Sequence, residues 1–376
     1  MKILFTGGGT GGHFYPIIAI AQAINEIQEK EKLIGVELFY MSDSPYNERL
    51  LFETGISYKQ VSAGKIRRYF SLKNFTDILK TLNGIISAIA ALYIIYPDVV
   101  FGKGGYASFP TLMAARILRI PVVIHESDSH PGRVNLWAGK FAKKIAVAYP
   151  EALKYFPKDK VAVTGLPIRK SLLSPIKKGA VEFLGLEQDV PIVYITGGSQ
   201  GAVNINDAII DILPELVKKY QIVHQTGINN IDDVRGRALL NLEGKEFKER
   251  YRPFAYLNET AQRMVAGVAS IVISRAGATS IFEIAAWGIP SIIIPIPEEV
   301  SHDQRTNAFS YARSGGAIVV EEKNLSGTIL LSEINRLLSN PHIMKNMNEK
   351  ALSFAPRDAA EVIARELISI GLKHEG

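Results

Sequence analysis

Residues 2–19, KILFTGGGTGGHFYPIIA, restrict the chain to few folds. Ile3, Leu4 and Phe5 form a short apolar run without alternation, the pattern of a strand buried on both faces. The turn Gly7-Gly8-Gly9-Thr10-Gly11-Gly12 follows at once. From Pro16 to Ile27 the apolar residues Ile17, Ile20, Ala21 and Ile24 recur with helical spacing. Strand, glycine turn and helix together open a βαβ unit. Without a Cβ, glycine lets the backbone bend sharply and bring its N–H groups close to a diphosphate, and the helix start adds partial positive charge. Pro16 is expected near the first helical turn, where its missing N–H has no helical partner. His13, where loop meets helix, is expected to point into the crevice at the carboxyl end of the sheet, where open α/β sheets bind ligands.

The turn by itself leaves its chemistry open, because a tight strand–helix connection needs the same glycines. It is not a Walker phosphate loop, since no Gly-Lys-Ser/Thr follows. Its spacing fits the dinucleotide fingerprint poorly, and Asp43 after the second strand is a weak ribose acceptor. His13 is read as either structural or catalytic.

At 376 residues the chain exceeds one ordinary core, so two domains are expected. With no cysteine there is no disulfide framework, thiolate nucleophile or zinc–sulfur site. The apolar opening runs straight into glycines, so it is read as a strand and not as a signal peptide. The apolar run from Gly84 to Tyr96 falls short of the roughly 20 residues a spanning helix needs, so the chain is expected to be soluble or to lie on a membrane. A net charge of +6 favours anionic lipid or phosphorylated ligands, and no nucleic-acid motif accompanies it.

Further along, Gly35–Met41 and Ile56–Val61 read as strands. The stretch after Gly64 mixes Arg67, Arg68 and Lys73 with Tyr69, Phe70, Leu72 and Phe75, which suits an anionic membrane interface or a loop leading into a core helix. A strongly apolar helix runs on from Phe75 to Tyr93. Pro97–Phe101 is a strand followed by a second glycine turn, Gly102-Lys103-Gly104-Gly105-Tyr106, and a helix from Phe109 to Leu118. The strand 120–124 ends in His125-Glu126-Ser127-Asp128, polar groups that face the ligand crevice in this architecture. Glu126 and Asp128 could be a metal-binding pair, but no further carboxylates cluster with them. A helix is expected over 133–143, strands over 144–148 and 160–164, and a hinge at Gly165-Leu166-Pro167-Ile168-Arg169, where Arg169 is read as a phosphate clamp or a surface cation.

The pattern then restarts. Strand 191–196, glycine turn Gly197-Gly198-Ser199-Gln200-Gly201-Ala202 and helix 203–213 echo the opening unit. Strands over 221–225 and 269–274, a helix over 258–266 and a short strand after Tyr251 continue it. In Ser274-Arg275-Ala276-Gly277-Ala278-Thr279-Ser280-Ile281-Phe282-Glu283 small residues leave helix-start amides open to a phosphate or ribose. Glu283 is read as a ribose acceptor or as a complement to the helix dipole. Strand 289–296 leads to His302-Asp303-Gln304-Arg305-Thr306-Asn307, polar groups suited to a sugar, and strand 317–321 is the last. The tail, 325–372, reads as helical with one break at Pro356.

Seven segments in this order and spacing, Gly7–His13, Gly102–Tyr106, Ile124–Ser127, Gly165–Arg169, Gly197–Ala202, Ser274–Ala285 and His302–Ala308, together resemble the MurG family of bacterial peptidoglycan glycosyltransferases over essentially the whole chain. The resemblance implies an α/β chain of the GT-B fold: two Rossmann-like, doubly wound parallel-sheet domains facing across a cleft, 1–166 for the acceptor and membrane, 167–352 for the donor, and a C-terminal helix, 353–376, returning to the first. It implies inverting transfer of N-acetylglucosamine from UDP-GlcNAc to the C4 hydroxyl of the muramoyl sugar of lipid I, giving lipid II at the cytoplasmic face of the membrane. Expected partners are UDP-GlcNAc, lipid I, an anionic membrane surface and cell-wall synthesis and division proteins; no cofactor or metal is expected.

Residue by residue, the resemblance implies that Thr10, Gly11 and Gly12 contact the transferring sugar and phosphates and that His13 assists catalysis, with Glu126 as the other candidate base. Arg169 and Ser199 match diphosphate contacts. Ala278, Thr279, Ser280, Ile281, Phe282 and Glu283 match the uridine and ribose segment, and Asp303 and Gln304 the donor sugar. Gly104, Gly105 and Tyr106 fall on the acceptor side, and Leu257 stands near the uracil-reading backbone. Where the family has His-Glu-Gln-Asn, this chain has His125-Glu126-Ser127-Asp128, so a carboxylate replaces a donor-contacting amide. Beside a diphosphate it repels unless paired. A UDP-GlcNAc 2-epimerase, a transferase with a soluble acceptor and a non-catalytic nucleotide-sugar scaffold remain alternatives on the same fold.

Overall fold

A computed structural model describes residues 1–65, 73–198, 200–298 and 302–375. The chain divides into two compact units, Met1–Arg169 with Arg357–Gly376, and Lys170–Pro356.

The first unit is built on seven parallel strands, β1 (Lys2–Thr6), β2 (Glu37–Ser42), β3 (Ile56–Gln60), β4 (Val99–Gly102), β5 (Val122–Glu126), β6 (Lys144–Val147) and β7 (Val161–Val163). Their order is β3-β2-β1-β4-β5-β6-β7. The helices between them are α1 (Gly11–Glu31), α2 (Glu48–Glu53), α3 (Lys73–Ile95), α4 (Phe109–Ile117) and α5 (Arg133–Ala138). β1 explains the layering. Ile3 and Phe5 pack into the core beneath α1, while Leu4 points to the opposite core with Val100, Leu112 and Ile124. All three are fully buried, each contributing about 1.5–3 kcal/mol relative to exposure.

The second unit repeats the plan with β8 (Ile192–Thr196), β9 (Gln221–Gln225), β10 (Tyr251–Phe254), β11 (Ile271–Arg275), β12 (Ser291–Ile294) and β13 (Ala317–Val319) in the order β10-β9-β8-β11-β12-β13. Its helices are α6 (Ala180–Leu184), α7 (Val203–Leu216), α8 (Ile231–Leu242), α9 (Glu259–Val268), α10 (Ala278–Trp287), α11 (His302–Ser314), α12 (Gly327–Leu338) and α13 (Pro341–Phe354). A last helix, α14 (Ala359–Glu375), belongs to the first unit, where Ile363, Leu367 and Ile370 join the core under α1. Both units are therefore Rossmann-like, as GT-B halves are.

Several local expectations are corrected. α1 starts at Gly11, five residues earlier than the apolar spacing suggests, because Thr10 N-caps it with extended backbone. Pro16 consequently lies in its second turn, and the Gly12 carbonyl loses its helical partner. α5 ends at Ala138, where Gly139 packs so tightly on Phe156 that a Cβ would stand 2.7 Å from its ring. The tail breaks twice, before Pro341 as well as around Pro356, since Asn340 caps a new helix by accepting from the Ile343 amide at 3.2 Å. The short helices α2 and α6 carry too little periodicity to be read from the sequence; α8, which buries Ile231, Val234, Ala238 and Leu242 at helical spacing, is missing from the sequence expectations.

Candidate active site

In both sheets the strand order reverses direction beside the first strand of the unit. In the first unit β1 lies next to β4, and the turns that leave these two strands diverge to opposite faces. Such a switch point opens a crevice at the carboxyl ends. The two glycine turns read from the sequence, 7–12 and 102–106, both fall there.

His13 sits in the first turn of α1, with its Nδ1 3.0 Å from the Thr10 hydroxyl. On its other side the ring faces Gly105, where a Cβ would lie 3.4 Å from Nε2 and 2.8 Å from the Gly8 carbonyl oxygen. Gly105 also holds φ +79°, so a side chain there is strained as well as crowded. Gly104 has φ +88° and comes as close to Asn135, 2.8 Å from Nδ2 to a Cβ position. Burial and the nearby Lys103 ammonium push the His13 imidazole down to about 3, so it is neutral at pH 7. Tyr106 donates its hydroxyl to Asp43 Oδ2 at 2.6 Å, and burial and that carboxylate push the phenol up to about 12. Asp43 therefore anchors Tyr106 beside the first glycine turn.

Glu126 ends β5 only 4 % exposed. Its Oε1 accepts from the Asp128 amide at 3.0 Å, and its Oε2 from the Gly132 amide at 3.0 Å and Asn135 Nδ2 at 2.9 Å. Three donors on one carboxylate make it the organiser of the 127–132 loop. His125 beside it is buried and reaches the Gly165 carbonyl at 3.0 Å, tying β5 to the segment that carries Arg169. Arg169 stacks its guanidinium over the Tyr15 ring at 4.3 Å and falls with the first unit.

In the second unit β8 lies beside β11, and the loops after them carry the third glycine turn and the start of α10. The first three amides of α10 have no carbonyl one turn back, and Thr279 and Ser280 are half-buried at its start. The side chains of Ala278, Ile281 and Phe282 lie in the core, and the Ile281 amide is taken by the Gly277 carbonyl at 3.0 Å. Among these three only backbone groups of the first turn can face a ligand. Glu283 is buried, with Gln262 Nε2 at 3.4 Å from its carboxylate. Gln304 on α11 accepts the Ile296 amide at 3.3 Å, which leaves its NH₂ to donate elsewhere.

Gln225, at the end of β9, was not singled out in the sequence. Its Nε2 donates to the Gly198 carbonyl at 3.1 Å, and its Oε1 accepts the Leu257 amide at 3.0 Å. One buried amide thus spans the glycine turn and the 254–259 loop. With its N–H committed, Leu257 can offer a base only its carbonyl. Nothing near Gln225 in sequence announces this, since both partners are distant.

A cavity of about 400 Å³ opens past β12 and β13, lined by Pro295, Ile296, Arg305, Glu321, Glu322 and Lys323 among others. Its acids are matched: Arg305 reaches Glu321 at 2.6 Å and Glu298 at 3.1 Å, Lys323 reaches Glu321 at 2.9 Å, and Arg275 pairs with Glu322. Arg67, Arg68, Tyr69, Phe70, Leu72 and Ser199 lie outside the described residues, as do the side chains of Lys73, Phe75 and Asp303.

The glycosyltransferase family 28 N-terminal domain matches residues 3–147, and the glycosyltransferase family 28 C-terminal domain matches residues 192–363. A protein of Lachnospira eligens, named UDP-N-acetylglucosamine–N-acetylmuramyl-(pentapeptide) pyrophosphoryl-undecaprenol N-acetylglucosamine transferase, is 40% identical over 343 residues, 91% of this chain and 92% of its own. Among solved structures, MurG of Acinetobacter baumannii superposes with a TM-score of 0.73 at 24% identity, covering 98% of this chain and 99% of that one. A putative UDP-N-acetylglucosamine 2-epimerase of Listeria monocytogenes reaches the same TM-score at 15% identity, covering 99% and 97%. At these identities the structures speak for a shared fold.

Proposed function

The chain belongs to glycosyltransferase family 28 and, within it, to the MurG family, and from that premise we infer its reaction and the residues that perform it. It is a UDP-GlcNAc-dependent N-acetylglucosaminyltransferase that converts lipid I to lipid II. The observation that carries this is sequence identity of 40% to a transferase so named, spread over 91% of the chain. The epimerase alternative is supported by fold likeness alone.

In the proposed step the C4 hydroxyl oxygen of the muramoyl sugar attacks the anomeric carbon of GlcNAc. The new C–O bond forms as the bond to the β-phosphate oxygen breaks, and UDP leaves with the electron pair. The hydroxyl proton passes to His13 Nε2. For Nε2 to hold the lone pair, Nδ1–H must donate to Thr10 Oγ1, an arrangement with which the 3.0 Å contact is compatible. The imidazole is neutral at pH 7, and because it is held down to about 3 without substrate, the charge developing on the bound diphosphate must favour the imidazolium as the proton arrives. Glu126, saturated by three N–H donors, holds the loop rather than the proton. Arg169 and the amides of the glycine turns and of α10 offset the charge on the departing diphosphate, a task preorganised donors perform without a metal. Glu283 is assigned to the ribose hydroxyls and Gln304 to the donor sugar.

The named acceptor of the relative is undecaprenol-linked, so the enzyme is proposed to work peripherally on the cytoplasmic face of the membrane. α3 supports this. Ala88 and Leu92 are fully buried beside α4, while Ile86 is 68 % and Ile94 80 % exposed. Residues Thr76–Ile95 are long and apolar enough to cross a bilayer, yet the buried stripe commits one face to the protein. The bare face suits shallow insertion among lipids.

The test is UDP release from UDP-GlcNAc with and without a lipid I analogue in detergent, for wild type and His13→Ala. Release that needs the analogue and collapses in the variant is expected. Tight UDP-GlcNAc binding with no analogue-dependent release overturns the transferase reading.

A further inference from the structure

Lys103 follows β4 in the second glycine turn, and it is 1 % exposed. Its amide donates to the Thr6 carbonyl at 2.8 Å, and its Cβ stands 2.9 Å from where a Cβ on Gly7 would be. The side chain therefore runs beneath the first glycine turn. At its end the ammonium donates to the Ser127 hydroxyl, between the two acids Glu126 and Asp128 in sequence. A buried ammonium is costly to retain unless opposite charge lies close. The groups that act on it are these two carboxylates, from the end of β5 and the loop after it. The groups it acts on in turn are His13, from α1, and His125, from β5. Burial pulls the ammonium down to about 8 against the two acids, so it is charged at pH 7.

Four features thus converge on one spot: a lysine with no access to water, a carboxylate locked by three amide donors, a second carboxylate beside it, and the candidate base. The substrates of the transfer carry diphosphates, and an uncompensated pair of acids would repel them. We propose that Lys103 is a positioning residue of the transfer reaction, the internal counter-cation that offsets Glu126 and Asp128 beside His13. The proposal rests on the transferase reading for its consequence and on the structure alone for its electrostatics. It brings a positive charge to bear on Asp128, the carboxylate that stands where the family has a donor-contacting amide. It also opposes protonation of His13, so the same buried charge keeps the imidazole neutral.

The experiment follows the His13 Cε1–H resonance of histidine-labelled full-length protein by NMR, identified by its loss in His13→Gln, from pH 3.5 to 9. It needs no turnover, so it stands whether or not the transferase assay succeeds. Wild type is expected to show neutral His13 down to about pH 4 and a small inflection near pH 8 as Lys103 loses its proton. In Lys103→Met the inflection disappears and the His13 titration moves up by about one pH unit or more. In Asp128→Asn, which keeps the lysine, the inflection moves to lower pH; this variant carries the test if Lys103→Met does not fold. Activity adds a second readout. Lys103→Met is expected to lower kcat/KM for the lipid I analogue by at least about tenfold, the effect of one lost charge-assisted contact. Lys103→Met with Asp128→Asn should recover part of that loss, which a merely structural defect would not. A His13 titration unchanged in folded Lys103→Met, an inflection that does not move in Asp128→Asn, or a double variant no better than the single overturns the proposal.

Discussion

Thr10 and His13 meet side chain to side chain across the first turn of α1, Oγ1 to Nδ1 at 3.0 Å. The hydroxyl is not used as a conventional helix cap, since it accepts no amide hydrogen bond. It is left to orient the imidazole. Thr10→Val keeps the shape and removes that contact, and it should lower kcat about 10²-fold through loss of ring orientation and tautomer. Thr10→Ser should restore most of the rate. Steady-state kinetics with saturating UDP-GlcNAc check this, with the circular dichroism spectrum unchanged in both variants.

Histidine burial makes the fold acid-sensitive. Burial holds His224 down to about 3, burial and Lys103 hold His13 there, and His125 lies well below its ordinary value for the same two reasons. In the unfolded chain each imidazole takes a proton below about 6.5. The unfolded state therefore binds more protons in this window, and stability must fall as pH drops from about 6.5 toward 3. Urea unfolding at pH 7.5, 6.5 and 5.5 should show falling midpoints at constant slope. Replacing His224, which Tyr251 holds at 2.9 Å and Asn206 at 3.0 Å, by Gln should flatten part of that trend.

Gln225 joins Gly198 to Leu257 within the second unit. Gln225→Leu leaves the Leu257 amide and the Gly198 carbonyl without this partner in a buried setting. The variant should weaken UDP binding by about tenfold, since the two loops lose a shared support. Isothermal titration with UDP reads the effect. His13→Ala, by contrast, should leave UDP affinity within about twofold, because it acts on the transferred proton.

The bare face of α3 should carry membrane attachment. Ile86→Lys places a charge where a side chain 68 % exposed now offers only carbon. Sedimentation with vesicles containing phosphatidylglycerol should drop several-fold for Ile86→Lys with Ile94→Lys, while UDP release with a detergent-soluble analogue stays near wild type. Equal sedimentation of variant and wild type would remove α3 from the interface.

The sequence alone determined what is local. Short unbroken apolar runs such as Ile3–Phe5 and glycine turns such as 7–12 and 197–202 express backbone constraints that act over a few residues, and they announced an α/β chain with two repeats of one unit. Tertiary structure decided what depends on residues far apart. It set β1 beside β4 and β8 beside β11, which brings separate turns to one crevice in each unit. It turned Ile281 and Phe282 into the core, since a helix start open to a ligand still buries one face. It occupied Glu126 with the amides of Asp128 and Gly132 and the side chain of Asn135, a loop-holding role that the sequence does not show. It also buried Lys103, which in the sequence is one cation among 43. Burial and hydrogen bonding are properties of the packed whole, and a charge acquires its meaning there only when water has been removed from around it.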